Sequence, residues 1–204
     1  MPVFSYKTIK SPSEGKYSEK GSSFLAFALP VENEQAVKEQ LSAIKKKFFD
    51  ARHHCFAYVL GFEKDRTRAF DDGEPAHSAG SPILGQIRAK DLTNVLVIVV
   101  RYFGGVKLGA GGLISAYKLA ARQALDQAVI QDCDVMADIT IRYRYENTAE
   151  VMRLIKDFDL VIVEQEYKSE CRLQVKLKLS QYEKFNEKIE FLSAIKIPIE
   201  ARTK

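Results

Sequence analysis

The sequence predicts an α+β protein of two domains, residues 1–132 and 133–204, of which the second is a ferredoxin-like βαββαβ domain. Strict alternation of apolar and polar side chains over residues 171–179 indicates a strand, and two apolar stripes of helical spacing lie on either side of it in the chain. In the first 132 residues, strand-like apolar runs and amphipathic stretches are mixed. With 204 residues, of which 46% are hydrophobic, the chain can form substantial cores.

The first domain is predicted as strands and helices in alternation. Asn33 is suited to an N-cap, and Lys45 to Lys47 suit the last turn of the helix that follows, where cations favour the helix dipole. In chain order, the elements are a strand at 22–31, a helix to residue 48, strands at 54–62 and 66–70, a short helix after Pro82, a strand at 94–103 and a helix whose apolar stripe runs from Leu113 to Ala128. The segment QDCD, residues 131–134, is interpreted as a linker.

The second domain is predicted from its periodicity. Ile139, Ile141, Tyr143 and Tyr145 alternate with polar residues and indicate its first strand. Its other strands are expected at 160–163, 171–179 and 195–199, and capping boxes at Asn147 with Glu150 and at Ser180 with Glu183 are expected to start its two helices.

Alternation also predicts a basic face on the side of this sheet away from the helices. Five cations are expected there, namely Arg142, Arg144, Arg172, Lys176 and Lys178. They are candidates for contacts with nucleic-acid phosphates or an acidic partner. The alternative is an ordinary solvated sheet face, because no outward aromatic residue on the first or third strand could stack on bases.

A glycine-rich segment, VVRYFGGVKLGAGGLISAY, joins the strand at 94–103 to the helix that follows. A helix N-terminus offers free N–H groups and a partial positive charge, so the segment could hold a phosphate or carboxylate. The alternative is a sharp turn that only permits close packing. It is neither a P-loop nor a dinucleotide fingerprint. The candidate residues here are Arg101, Gly104, Gly105, Lys107, Gly109, Gly111 and Gly112.

An acidic turn, DDGEP, places Asp71, Asp72 and Glu74 within four residues. These carboxylates could bind a hard cation such as Mg²⁺, pair with Arg101, or form an Asx-rich turn. Cys55 lies next to His54, but it sits among apolar residues of a strand, so nucleophilic catalysis is not favoured.

Composition excludes several classes of protein. The net charge of +4 allows an acidic partner without requiring one. Three widely spaced cysteines, none in a CxxC pair, disfavour a zinc site and a disulfide framework. The first residues do not resemble a signal peptide, and the longest aliphatic run, 95–100, is far too short to span a bilayer. We expect a cytoplasmic protein with no membrane partner.

Three segments carry a resemblance to the YigZ/IMPACT family: residues 51–61, ARHHCFAYVLG; 71–84, DDGEPAHSAGSPIL; and 99–117, VVRYFGGVKLGAGGLISAY. The family turn reads DDGEPxGTAGxP, and here His77 and Ser78 replace its glycine and threonine. The resemblance implies a first domain of the two-layer α/β type, like the second domain of a small-subunit ribosomal protein. It also implies that the two domains together are similar to domains IV and V of elongation factor G.

The resemblance implies a role around translation, because eukaryotic relatives regulate translation initiation. Our leading hypothesis is a non-enzymatic regulator, without cofactor, that binds RNA, the ribosome or a ribosome-associated protein. The second hypothesis is an enzyme that holds a metal on the acidic turn and an anionic substrate on Arg101 or Lys107. The third is a protein–protein adaptor. The family pattern favours a polar cleft formed by the acidic turn, Arg101 and the glycine-rich segment; its ligand and the oligomeric state stay open.

Overall fold

The computed structural model describes residues 2–168 and 170–203. Ser5–Cys133 form one compact unit, and residues 134–203 form a second together with residues 2–4. The predicted two-domain α+β class is confirmed. Up to residue 134 the elements are β1 Ser5–Ile9, β2 Ser13–Glu19, β3 Ser22–Pro30, α1 Glu34–Lys47, β4 His53–Leu60, β5 Arg66–Phe70, α2 Gly80–Ala89, β6 Val95–Tyr102, α3 Gly109–Asp126 and β7 Ile130–Asp134.

The first unit is built on a five-stranded antiparallel sheet in the order β2-β3-β6-β4-β5. Its central strand β6 is buried on both faces, which explains why its sequence is continuously apolar. Helices α2 and α3 cover one face, and α1 covers the other. The predicted N-cap of α1 is confirmed, since the Asn33 side chain accepts a hydrogen bond of 2.9 Å from the backbone N–H of Ala36.

Three strands of this part were not predicted. β1 and β7 pair into a two-stranded sheet, and β2 is an edge strand of the larger sheet. The interpretation of QDCD as a linker was wrong, because these residues lie in β7. The side chains of β7 are almost all exposed, so no apolar alternation marks it as a strand.

The second unit has the predicted βαββαβ order, and its sheet is antiparallel with the strand order β11-β8-β10-β9. This is the ferredoxin-like arrangement, with the first and third strands in the centre. One core joins the sheet to both helices. The elements are β8 Met136–Tyr143, α4 Thr148–Asp157, β9 Val161–Tyr167, β10 Cys171–Lys178, α5 Tyr182–Ala194 and β11 Ile199–Thr203.

Details at the ends of these elements differ from the sequence predictions. Tyr145 lies beyond β8 in a 3-10 turn and is 79% exposed, so the first strand is shorter than its alternation suggested. Neither capping box forms, because α4 and α5 both begin after a 3-10 turn and lack a side-chain cap. The last strand begins only at Ile199, whereas Ile195 is the C-cap of α5. Among the described residues, no helix has both the length and the apolar composition needed to cross a bilayer.

Candidate functional site

The first carboxylate of the acidic turn, Asp71, holds the start of α2. It accepts hydrogen bonds from the backbone N–H groups of His77 at 3.0 Å, Ala79 at 3.0 Å and Gly80 at 2.8 Å. The last two are among the donors that the N-terminus of α2 leaves unpaired, and His77 lies in the turn before it. Asp71 therefore has a structural role that its spacing in the sequence did not reveal.

The second carboxylate, Asp72, holds the start of β4. It accepts a hydrogen bond of 2.7 Å from the backbone N–H of His54, and Lys45 lies 3.9 Å away. Its φ of 44° and that of Gly73, 86°, are both in the left-handed region, so this is the tight turn that the Asp-Gly pair favours. His77 has a φ of 62°, which explains a glycine at this position of the family turn.

Acid should remove the stabilisation that Asp71 provides. Burial alone would raise the pKa of Asp71, but the hydrogen bonds from Gly80, His77 and Ala79 outweigh it and hold the pKa below its usual value. This stabilisation is complete above the unfolded pKa of about 3.9 and is lost as the pH falls through the lower folded pKa. We expect Asp71→Asn to cost about 1–2 kcal/mol at neutral pH, because the amide nitrogen cannot accept the hydrogen bond that His77 donates.

The difference between Asp71→Asn and the native chain should shrink below about pH 4, where the carboxylate of the unfolded chain begins to bind a proton, and vanish below the lower folded pKa. Urea unfolding at pH 7, 4 and 3, followed by circular dichroism, measures it. A constant difference over this range would contradict the assigned role of Asp71.

The third carboxylate, Glu74, does meet Arg101. Arg101 Nη1 donates to Glu74 Oε1 at 2.6 Å, and the hydroxyl of Tyr117 donates to the same oxygen at 2.8 Å. The side chains of Arg101 and Glu74 are only 7% and 4% exposed. The structure thus brings one of the three acids to Arg101 and leaves the other two at separate backbone sites.

A chain of hydrogen bonds continues inward from Glu74. The thiol of Cys55 lies 3.3 Å from the Tyr117 hydroxyl and 3.0 Å from the Asp71 carbonyl oxygen. Burial raises the pKa of Cys55 to about 12, so the thiol stays protonated at neutral pH and is a poor nucleophile. His53 Nδ1 is 2.8 Å from the Asp72 carbonyl oxygen, which can only accept, so this nitrogen carries the proton.

The three carboxylates that the metal hypothesis requires already have hydrogen-bond partners. Asp71 and Asp72 are occupied by backbone N–H groups, and Glu74 is occupied by Arg101 and Tyr117. Across residues 2–168 and 170–203, no three His, Cys, Asp or Glu side chains are grouped to hold a metal ion. The contacts of Asp71 and Asp72 are with the backbone, and only Glu74 reaches a cleft.

The glycine-rich segment divides into two parts with different roles. Gly104 packs against the backbone of Gly21, which leaves no room for a side chain. Gly105 has a φ of 86° and Gly109 a φ of 71°, and neither would bring an added Cβ within 4 Å of another group. Only two of the five glycines precede the helix, because α3 already begins at Gly109 and contains Gly111 and Gly112.

A cleft of about 430 Å³ lies between the acidic turn and the start of α3, within the first unit. This volume is in the range of small-molecule sites, about 300–1,000 Å³. The predicted residues Glu74, Arg101, Lys107 and Gly109 line it. Residues that the sequence did not single out also line it, among them Arg52, His53, Phe103 and Ala110.

Acidic residues are interspersed among the cations of the predicted basic face of the second unit. The cations on β8 and β10 point away from the core, whereas Arg144 lies just beyond the end of β8. Arg142 lies opposite Glu200 on one side and Arg172 on the other, and Arg172 lies opposite Glu166. Glu200 and Glu166 form ion pairs with Arg202 and Lys168. Each of the other three also has an acidic neighbour: Lys176 is opposite Asp138, Lys178 is 2.9 Å from Asp134, and Arg144 is 3.9 Å from Glu146. Directly opposite side chains on a sheet lie close enough to offset each other's charge.

Comparison with known proteins shows the family. Residues 20–125 match the Impact N-terminal domain. The chain is 32% identical to the IMPACT family member YigZ of Escherichia coli over 172 residues. This alignment covers 83% of this chain and 84% of that protein. The Protein IMPACT homolog of Saccharomyces cerevisiae is 36% identical over 97 residues, 45% of this chain and 37% of that protein. A crystal structure of a hypothetical protein superposes with a TM-score of 0.77 at 28% identity, over 98% of this chain and 97% of that one. The chain therefore belongs to the IMPACT family.

Proposed function

We propose that this protein is a non-enzymatic, translation-associated regulator that binds single-stranded RNA through the cleft of its first unit. The observation that supports this most is the composition of the cleft. Arg52 and Lys107 are exposed, lie on its rim, and form no ion pair with any described residue. Phe103, which is 45% exposed, lines the same cleft.

Cations beside an exposed aromatic ring are what single-stranded RNA requires. Arginine and lysine contact phosphates, and a base stacked on an aromatic ring contributes about 1–3 kcal/mol. The Phe103 ring lies 5.6 Å from the guanidinium carbon of Arg101, a cation–π contact that limits its movement. The association with translation rests on the family and on the resemblance of the two domains to parts of elongation factor G.

The outward face of the second unit is the weaker candidate for RNA. Every cation there has a carboxylate opposite or beside it, so a phosphate would compete with a charge already present. The nearby carboxylates would repel a phosphate and reduce the gain from counterion release. We therefore expect the cleft, and not the sheet face, to supply the phosphate contacts.

Salt dependence tests this assignment. We expect the native chain to bind a single-stranded RNA with little sequence preference. The double variant Arg52→Ala with Lys107→Ala should lose two phosphate contacts. The slope of log K against log salt should become shallower by about 1.4, at roughly 0.7 per contact on a single strand. Fluorescence anisotropy over a salt series measures the slope.

The matched control is Arg144→Ala with Lys176→Ala, which removes the same formal charge from the sheet face. Its slope should equal that of the native chain. If the control loses slope while the cleft variant does not, RNA binds the sheet face. No binding by the native chain at low salt would reject RNA and leave the adaptor hypothesis ahead.

A further inference from the structure

The inner wall of the cleft contains an unsatisfied donor. Arg101 uses Nη1 for Glu74, while its Nε is buried and has no hydrogen-bond partner among the described residues. The guanidinium contacts two aromatic rings, at 5.5 Å from the centre of Phe24 and 5.6 Å from that of Phe103. A buried donor without a partner is unfavourable, and here it belongs to a rigidly held cation in the wall of a cleft.

The start of α3 adds free backbone donors at the same place. Gly109 and Ala110, the first two residues of the helix, line the cleft. The helix has no side-chain cap and no acidic residue in its first turn, so its N–H groups and the positive end of its dipole are available. A Cβ added at Gly109 would meet nothing within 4 Å, which leaves the backbone open to a ligand.

The charge of the cleft indicates which anion it suits. Arg101 and Glu74 neutralise each other, so Arg52 and Lys107 remain as the uncompensated charges among the residues that line it. A phosphate within an RNA chain carries one negative charge. A phosphate monoester carries about −1.5 to −2 near neutral pH and has three accepting oxygens. Two free cations and a helix N-terminus therefore match a monoester better than an internal phosphate.

We propose that the cleft holds a phosphate monoester, the terminal phosphate of an RNA chain. The phosphate lies on Lys107, Arg52 and the first turn of α3, beside Arg101, and the base next to it stacks on Phe103. This inference rests on the proposed RNA-binding function. It adds that the protein prefers phosphorylated ends. A free nucleoside monophosphate has the same chemistry and is the other source of such a group.

The test compares one short single-stranded RNA with a 5′-hydroxyl, with a 5′-phosphate and with a 3′-phosphate. We expect one of the phosphorylated forms to bind at least about tenfold more tightly than the hydroxyl form, as charge-assisted hydrogen bonds would give. Lys107→Ala should remove most of this preference, and Lys107→Arg should retain it. Lys176→Ala, the same charge loss on the sheet face, should leave it unchanged. Nucleoside 5′-monophosphate and inorganic phosphate are titrated separately as competitors.

The outcomes separate this inference from the proposed function. Equal affinity of all three RNAs, with binding intact, overturns the monoester site and leaves RNA binding standing. If no RNA binds but the nucleoside monophosphate does, and Lys107→Ala weakens it, the site stands with a free nucleotide as its ligand. If neither RNA nor the monophosphate binds, both proposals fail. A preference that survives Lys107→Ala overturns the assigned location.

Discussion

Glu74→Ala is expected to lower the free energy of unfolding by about 3–5 kcal/mol, the usual result of removing one partner of a buried ion pair. Arg101 would keep its charge in a site where its side chain is only 7% exposed. The Tyr117 hydroxyl would also lose its acceptor, now 2.8 Å away. Urea unfolding at neutral pH, followed by circular dichroism, measures the change.

Two variants control for this interpretation. Glu74→Gln retains an oxygen for Arg101 and Tyr117, so it should cost clearly less than Glu74→Ala. The double variant Glu74→Ala with Arg101→Met removes the uncompensated cation as well and should cost less than the sum of the single changes. A loss below about 1 kcal/mol for Glu74→Ala would mean that the pair is solvated and that the cleft wall is not held by it.

Gly104→Ala is expected to cost about 3 kcal/mol or more, because the added carbon has no space. It would lie 1.9 Å from the carbonyl carbon of Gly21 and 2.1 Å from the backbone nitrogen of Ser22. Both are backbone atoms, since Gly21 immediately precedes β3 and Ser22 is its first residue, so no side-chain rotation can relieve the clash. Thermal and urea unfolding of the purified variant measure the loss.

The same segment provides a matched control for Gly104. Gly111 lies in the first turn of α3 and has no positive φ. A Cβ added there would have no other atom within 4 Å. Gly111→Ala should therefore be neutral or stabilise the protein by about 0.5 kcal/mol, because alanine loses less backbone entropy. If Gly104→Ala is as stable as Gly111→Ala, the close approach of Gly104 to Gly21 does not exist in solution.

The strands and helices of the second unit could be predicted because the patterns that indicate them lie within short segments of the sequence. Cys171, Leu173, Val175 and Leu177 face the core while Arg172 and Lys176 between them are exposed, so a period of two is visible along one strand. Edge strands such as β7 lack this signal, because neither of their faces is well buried. The capping boxes failed for a related reason: a capping motif marks the start of a helix, but here a 3-10 turn intervenes.

The candidate site was predictable only in part. The family pattern indicated that Arg101 lies near the acidic turn, but not that Glu74 alone would meet it. Asp71 reaches the N–H groups of α2 because of the shape of the intervening turn, which no spacing rule specifies. Arg52 precedes β4 and Phe103 follows β6, so the segments that contain them were singled out by the family pattern, but only the fold shows that the two side chains line one cleft.

By itself, the sequence determined the fold class, the order of the elements in the second unit, the family and the side of the sheet on which the cations lie, because these follow from local periodicity or from motifs. Only the tertiary structure decided that Glu200, Glu166 and Asp138 stand opposite those cations, and that Gly104 packs on Gly21. Strand register and backbone approach join residues that are distant in the chain. The acidic residues opposite each cation and the space beside Gly104 are therefore set by the packing of a whole unit, which no single segment encodes.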